Sequence, residues 1–218
     1  MLTVGVDELA ALREDYRRGR LDEGDVDPDP LVQLRAWLAA AIAAQVPEPT
    51  AMILATVDEA GHPATRTVLC KGIDERGLRF FTNRRSRKGA HLAASPPCAA
   101  TFLWKELERQ VGVTGTAVAL GDDESDAYFA SRPRGSQLGA WASPQSEVVA
   151  GRGALEDALA ELERRWPPGS AVPRPPHWGG YLLVPDTLEV WQGRPSRLHD
   201  RLRYGRRADA WVVERLAP

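Results

Sequence analysis

The chain has 218 residues, is 43% hydrophobic and 27% charged, and carries 28 basic against 30 acidic side chains for a net charge of −2. Such a chain can bury a sizeable core as one domain, and its seven tryptophans speak against disorder. The balanced charge gives no global basic field for nucleic acid or a membrane surface, and there is neither a run of 18 apolar residues nor a basic-then-apolar leader pattern.

From the N-terminus, Leu9, Leu12 and Tyr16 fall at helical spacing within Asp7 to Arg18, ahead of Gly19, and predict a first helix. Leu21 to Asp29 holds five acidic residues and a proline and reads as a loop. Asp29-Pro30 is an N-cap followed by a first-turn proline, so a second helix starts there with Leu31, Leu34, Trp37, Leu38, Ala41 and Ile42 as its apolar stripe.

The pattern then changes to strands. Ala51 to Val57 and Thr65 to Cys70 flank the turn Asp58 to Gly61, and a second turn, Asp74 to Gly77, precedes Leu78 to Thr82. A short helix starts at Ser86, and strands follow at Cys98–Leu103 and Arg109–Leu120. Asp122 to Ser131 and Gly153 to Trp166 read as helices, with a short helical turn at Ser136 to Trp141. Five prolines make Pro167 to Pro176 a connector. Strands resume at Gly180–Val184, Glu189–Gln192, Arg197–Tyr204 and Ala210–Leu216. Short strands and tight turns at this density predict a closed or partly closed antiparallel barrel with helices around it, an α+β chain that is mainly β.

Cys70 and Cys98 both lie in apolar segments, as expected of buried thiols in a reducing cytoplasm rather than a disulfide framework. The four histidines, His62, His91, His177 and His199, lack metal-ligand spacing, so no metal site is expected. Gly151-Arg-Gly153 follows no strand and lacks a third glycine, and no Walker-type loop occurs. Ser136 is misplaced for a nucleophile elbow, which weakens a hydrolase built from Ser136, His199 and Asp200. Without a glycine-rich loop, any nucleotide phosphate must be gripped by side chains.

Four cationic groups could do so. Arg66 and Lys71 share a strand and its exit, but alternation sends Arg66, Val68 and Cys70 to one face and Lys71 to the other. By spacing alone, two solvent-facing charges on an edge strand explain this pair better, unless the chain twists at Gly72. The segment Thr82 to Lys88 crowds Arg84, Arg85, Arg87 and Lys88 around a helix start capped by Ser86. Cations there oppose the helix dipole at a cost of a few tenths to ~1 kcal/mol each, which favours an anion between them. Tyr128, Arg132, Arg134 and Ser136 form a third group, equally readable as an ordinary helix C-terminus. Trp191 to Arg201 places Arg194, Arg197, Arg201 and His199 beside a tryptophan. This suits a phosphorylated, proton-exchanging ring, and fits a charged surface turn equally well.

The stretches Arg66-Thr-Val-Leu-Cys-Lys71, Phe81 to Lys88, Leu107-Glu-Arg-Gln110, Tyr128 to Gln137, Gly139 to Ser146, His177 to Gly180, Trp191-Gln-Gly193, Arg197-Leu-His-Asp-Arg201 and Glu214 to Pro218 together resemble the pyridoxamine/pyridoxine 5′-phosphate oxidase family. The resemblance runs in order from about Leu12 to the last residue, and the Arg-Leu-His-Asp-Arg block distinguishes this family within the wider flavin split-barrel group. It implies a Greek-key split β-barrel and a homodimer with shared active sites that bind FMN. Residues 1–46 would be a helical lid and packing segment, and 177–218 the dimerisation and active-site strands.

By the same resemblance, Arg66, Arg87, Lys88, Gln145 and Ser146 would hold the FMN phosphate and ribityl chain, with Lys71 close by. Phe81, Thr82, Gln110, Trp191 and Arg201 would line the flavin. Lys71, Tyr128, Arg132 and Ser136 would bind the substrate phosphate. Arg197 and His199 would act at the pyridine ring as catalytic residues with Leu198 between them, and Arg13 to Tyr16, through Arg13 and Tyr16, would close over the substrate. The implied reaction oxidises pyridoxine or pyridoxamine 5′-phosphate to pyridoxal 5′-phosphate with dioxygen, releasing hydrogen peroxide and, from the amine, ammonia. Phe81 stands where a tyrosine is common, Cys70 replaces an aliphatic residue, and Glu14-Asp15 makes the lid acidic. The alternatives are a split-barrel oxidase of another ring, such as a phenazine precursor, and a non-enzymatic flavin or pyridoxal phosphate carrier.

Overall fold

A computed structural model of the chain describes residues 5–12, 14–208 and 210–218. These form two compact units, one of Thr50–Phe102 and Val113–Asp186, the other of Met1–Pro49, Leu103–Gly112 and Thr187–Pro218.

The first unit contains β1 (Ala51–Val57), β2 (Pro63–Leu69), β3 (Gly72–Asp74), β4 (Gly77–Asn83), most of β5 (Pro97–Trp104) and of β6 (Arg109–Ala119), and the start of β7 (Trp178–Gln192). Their order in the sheet is β2-β1-β5-β6-β7-β4-β3. Strand β1 pairs antiparallel with β2 and β5, and β4 with β3 and β7. Alternation sends Met52, Leu54 and Thr56 of β1 inward with Ala100 and Phe102 of β5 and Phe80 of β4, all essentially inaccessible. Four helices belong to this unit: α3 (Arg87–Ala94), α4 (Asp122–Ser131), α5 (Arg134–Ala142) and α6 (Arg152–Arg165). Phe129, Leu138, Val172 and Trp178 form a buried cluster against which Leu159, Leu162 and Trp166 pack. The proline-rich connector is pinned by side chains. Arg134 donates to the carbonyls of Trp166, Pro167 and Ser170, and the Trp141 indole to Pro173.

In the second unit, α1 (Val6–Ala11) and α2 (Pro30–Ala43) accompany the tip of the β5–β6 hairpin, the end of β7, β8 (Asp200–Arg207) and β9 (Ala210–Leu216). Asp29 caps α2 by accepting from the backbone N–H groups of Leu31 and Val32 at 2.8 and 3.4 Å. Leu31, Leu34, Trp37 and Ala41 are buried as their spacing requires, whereas Ile42 is exposed. The Tyr204 hydroxyl of β8 donates to the Asp27 carbonyl at 2.8 Å, and Arg109 lies 4.5 Å over the Trp37 ring. Arg215 of β9 gathers Glu23, Asp200 and the Leu21 carbonyl, so the acidic loop expected between the helices is tied down and contains a 3-10 turn at Glu23–Asp25.

Three expectations about elements change. The first helix ends at Ala11 rather than Arg18, because Tyr16 is drawn into an aromatic cluster that a continuing helix would not reach. The two strands expected at Gly180–Val184 and Glu189–Gln192 are one, β7, running through Pro185. The β4 ladder ends at Leu183 and the β8 ladder begins at Thr187, so the missing proline N–H falls in the gap between them. The strand expected from Arg197 begins at Asp200, after a 3-10 turn at Pro195–Arg197. Among the described residues, no helix is long and apolar enough to cross a membrane, and no group of three or more His, Cys, Asp or Glu is placed to hold a metal ion. Cys70 and Cys98 are buried and unpaired.

Candidate functional site

In the first unit, a cavity of about 590 Å³ takes Arg66 from β2, Lys71 from its exit, Phe81 and Thr82 from β4, and Lys88 from the first turn of α3. Tyr128 and Arg132 come from the end of α4 and Ser136 from α5, and Gln145 and Trp178 are also among the lining residues. Four cations line this space and no carboxylate does.

Arg66 and Lys71 therefore converge, which strict alternation argued against. Strand β2 stays in register with β1 only to Leu69, after which the Lys71 N–H pairs with the Arg79 carbonyl of β4 and leaves the β2 alternation. Of the four cations at the α3 start, Lys88 faces the cavity. Arg84 turns away to the Leu120 carbonyl at 2.9 Å, and Arg85 is exposed. Arg87 and Ser146 sit outside the lining, next in sequence to Lys88 and Gln145, and are joined to each other, the Arg87 N–H donating to Ser146 Oγ at 3.1 Å. Arg134 is committed to the connector carbonyls and takes no part.

Electrostatics mark the cavity as an anion receptacle. Lys88 Nζ donates to Gln145 Oε1 at 2.9 Å and Thr82 Oγ1 at 3.1 Å, and burial, with Arg66 nearby, pulls its pKa down to about 8. Burial also lowers the pKa of Arg66, helped by Arg87, and that of Arg132. Arg132 lies 4.8 Å over the Trp178 ring, and its buried Nη1 has no hydrogen-bond partner. Native proteins rarely leave a buried guanidinium donor unpaired, and a ligand oxygen would satisfy it. Phe81, Tyr128 and Trp178 stack nearly parallel, with Phe81 and Tyr128 centroids 4.0 Å apart. Burial raises the Tyr128 pKa, which keeps the phenol a neutral donor.

In the second unit, a pocket of about 700 Å³ is lined by Tyr16, Trp191, Arg194, Arg197 and His199, with Glu14 and Asp15 at its N-terminal wall. The Tyr16 ring lies edge-on to both Trp191 and His199, at 5.7 and 5.6 Å, and Trp191 and His199 are 4.6 Å apart. Ser196 and Arg197 are successive residues in the left-handed region, with φ of 57° and 60°, so the turn that presents Arg197 is held in a strained conformation. Leu198 is 70% exposed and outside this lining. Trp191 and Arg201 are cross-strand partners, and Arg201 forms a two-pronged ion pair with Glu189 at 2.9 and 3.0 Å. Gln110 is half-buried on β6 and lines neither cavity, and Arg13 lies outside the described residues.

Sequence reasoning missed Glu189, which orients Arg201, and the almost fully buried Gln192, which bonds Arg109 and the carbonyls of Leu107 and Glu108. Of these two, only Gln192 carried a signal, as part of the Trp-Gln-Gly stretch. Arg194 was read only as one cation of its cluster, and the structure adds that its N–H meets His199.

An acid-free basic cavity with aromatic walls fits a phosphate-bearing ring cofactor, and together with the mainly antiparallel sheet it places the chain among the flavin-binding split-barrel proteins. Residues 38–165 match the family model for pyridoxamine 5′-phosphate oxidase, and residues 178–218 the pyridoxine 5′-phosphate oxidase C-terminal dimerisation region. The chain belongs to the pyridoxamine 5′-phosphate oxidase family. A pyridoxine/pyridoxamine 5′-phosphate oxidase from Burkholderia thailandensis is 56% identical over 213 residues, 96% of this chain and 99% of that protein. The solved structure of PhzG from Burkholderia lata, in complex with tetrahydrophenazine-1-carboxylic acid, superposes with a TM-score of 0.85 at 36% identity, covering 91% of this chain and 98% of that one. An FMN-binding, pyridoxamine 5′-phosphate oxidase-related protein from Nostoc punctiforme shares the fold at TM-score 0.70 and 21% identity, covering 88% and 100%.

Proposed function

We propose that the protein is an FMN-dependent oxidase that converts pyridoxine or pyridoxamine 5′-phosphate to pyridoxal 5′-phosphate. The observation that carries this reading is the cavity holding Arg66, Lys71, Lys88 and Arg132 with no acid among its lining residues. We assign its cations to two sets. Arg66 and Lys88, with Arg87, Gln145 and Ser146 beside them, suit the FMN phosphate and ribityl chain. Lys71, Tyr128, Arg132 and Ser136 suit the substrate phosphate. Phe81, Thr82, Gln110, Trp191 and Arg201 are assigned to the flavin, and Tyr16, Arg197, Leu198 and His199 to the substrate ring, with Arg13 in the lid.

The flavin, when bound, supplies a two-electron acceptor that dioxygen reoxidises. The chain's own residues hold, orient and protonate. The substrate loses two electrons and two protons across its exocyclic carbon–heteroatom bond, dioxygen takes them up as hydrogen peroxide, and the imine formed from the amine substrate adds water to give the aldehyde and ammonia. Arg197 clamps the ring, fixing the reacting carbon, and His199 moves a proton at the exocyclic substituent.

The protein works as a homodimer through residues 178–218, with active sites shared between subunits. The whole chain serves as one functional domain, residues 1–46 acting as lid and packing segment and residues 177–218 as dimerisation and active-site strands. A cytoplasmic location accords with two buried free thiols. The likeness to PhzG keeps a phenazine-type substrate in view, but a ring acid of that kind brings no phosphate for Lys71, Tyr128, Arg132 and Ser136. Purified protein reconstituted with FMN should consume oxygen with either phosphorylated vitamer and form pyridoxal 5′-phosphate. Oxygen uptake with a dihydrophenazine carboxylate alone would favour the second reading, and ligand binding without turnover would make the protein a carrier.

A further inference from the structure

Arg66 stands among like charges: burial and then Arg87 disfavour its charged form, and Arg66 in turn disfavours that of Lys88. Something must hold its head at the cavity wall. Its Nη1 donates to the Leu54 carbonyl at 3.0 Å and to Thr56 Oγ1 at 2.7 Å, leaving Nε and Nη2 for a ligand. Guanidinium only donates, so Thr56 Oγ1 must accept there.

Thr56 is fully buried, and its oxygen also lies 3.1 Å from Nδ1 of His91, a residue only 7% exposed. If His91 donated from Nδ1, the Thr56 oxygen would accept twice, and its own proton would have no partner in a buried site. The arrangement that gives the buried Thr56 proton an acceptor has Thr56 donating to an unprotonated Nδ1, with the His91 ring proton on Nε2. His91 lies one turn beyond Arg87 and Lys88 on α3, whose packing is close: a Cβ at Gly89 would meet the Arg84 carbonyl at 2.2 Å.

We propose that His91 and Thr56 are positioning residues for anion binding: His91 Nδ1 accepts a hydrogen bond from the Thr56 hydroxyl, which turns the oxygen's lone pairs to Arg66 and fixes the arginine head at the cavity wall. The helix that carries Lys88 and Arg87 thereby also sets the third cation, which sits on a different strand. The identity of the anion as the FMN phosphate rests on the proposed function, and the relay itself does not.

The test titrates ligand-free protein with FMN by fluorescence quenching, with thermal melts alongside. Thr56→Val and His91→Leu each remove one link and should raise the FMN Kd about tenfold, the scale of one hydrogen bond to a charged group. Thr56→Ser and His91→Asn keep a hydroxyl and an acceptor and should bind close to wild type even where the melt is lowered. The Thr56→Val/His91→Leu double variant should lose no more affinity than either single, because both break the same chain. Unchanged affinity in Thr56→Val and His91→Leu, or a double-variant loss equal to the product of the singles, overturns the relay. If wild type itself fails to bind FMN, the flavin reading falls instead. The same variants titrated with inorganic phosphate must then show the same ranking, or the relay falls as well.

Discussion

The backbone N–H of Arg194 points at Nδ1 of His199 across 3.1 Å. A backbone N–H only donates, so this bond makes Nδ1 the acceptor and places the neutral ring's proton on Nε2. The turn that presents Arg197 thus also sets the tautomer of His199, the residue proposed to move the proton. His199→Asn keeps an acceptor for Arg194 and deletes the Nε2 donor, whereas His199→Leu deletes both. Both should lower kcat by ~10²-fold with flavin still bound, and only the leucine variant should lose about 1 kcal/mol of stability through the orphaned N–H. Steady-state kinetics and denaturant melts read the two effects separately, and wild-type turnover in His199→Asn would remove His199 from the chemistry.

Arg132 presents the opposite situation, a cation held over Trp178 with a buried Nη1 that nothing among the described residues satisfies. Arg132→Met keeps the stem and removes the unpaired donor. Loss of the cation–π contact and relief of the orphan should nearly cancel, leaving ligand-free stability within about 1 kcal/mol of wild type. The KM for the phosphorylated substrate should rise by about 10- to 100-fold, the scale of a charge-assisted hydrogen bond. An unchanged KM would take Arg132 out of the substrate phosphate site.

Lys88 links affinity and stability to pH with opposite signs. Its pKa is depressed from 10.5 to about 8, chiefly by burial and then by Arg66. As pH rises through 8 the folded protein loses this charge, so FMN affinity should fall, by up to about tenfold per pH unit for one linked proton. Between pH 8 and 10.5 the unfolded chain binds the proton that the folded chain has released, so this group raises ligand-free stability across that window. Subtracting Lys88→Met profiles from wild type isolates both trends. Parallel profiles for the two proteins would show that Lys88 is not the titrating group.

Gly193 bears on the aromatic pocket through space alone. A Cβ there would lie 2.7 Å from Cγ of Tyr16, so Gly193→Ala must push the ring away from Trp191 and His199. Near-ultraviolet circular dichroism of the ligand-free protein should change, and KM should rise about 2- to 10-fold, the worth of an aromatic contact. An unaltered spectrum with an unaltered KM would show that Tyr16 closes over nothing.

Phe81 illustrates how far residue identity alone could be read. As a departure from the commoner tyrosine it implied a lost hydroxyl with a flavin-side contact retained. The structure gives it a positive role as one of three near-parallel rings, packed against both Tyr128 and Trp178. Arg84, Arg85, Arg87 and Lys88 likewise formed one undivided basic segment in the sequence. Which of them faces an anion depended on where the Leu120 carbonyl lies, a partner 36 residues from Arg84.

The sequence by itself determined the elements governed by local bonding. The Asp29-Pro30 start of α2, the turns after β1 and β3 and the Ser86 cap of α3 each depend on groups a few residues apart, and each falls where the residues placed it. It also determined the inventory of cations and, through the ordered motifs, the family. Only the tertiary structure decided which cations meet. Arg66 and Lys71 converge because the Lys71 N–H finds the Arg79 carbonyl, Arg134 is withdrawn by the connector, and Tyr16 leaves the helical path for Trp191 and His199. Those outcomes turn on donors and rings far apart in the chain, whose pairing local propensity does not encode.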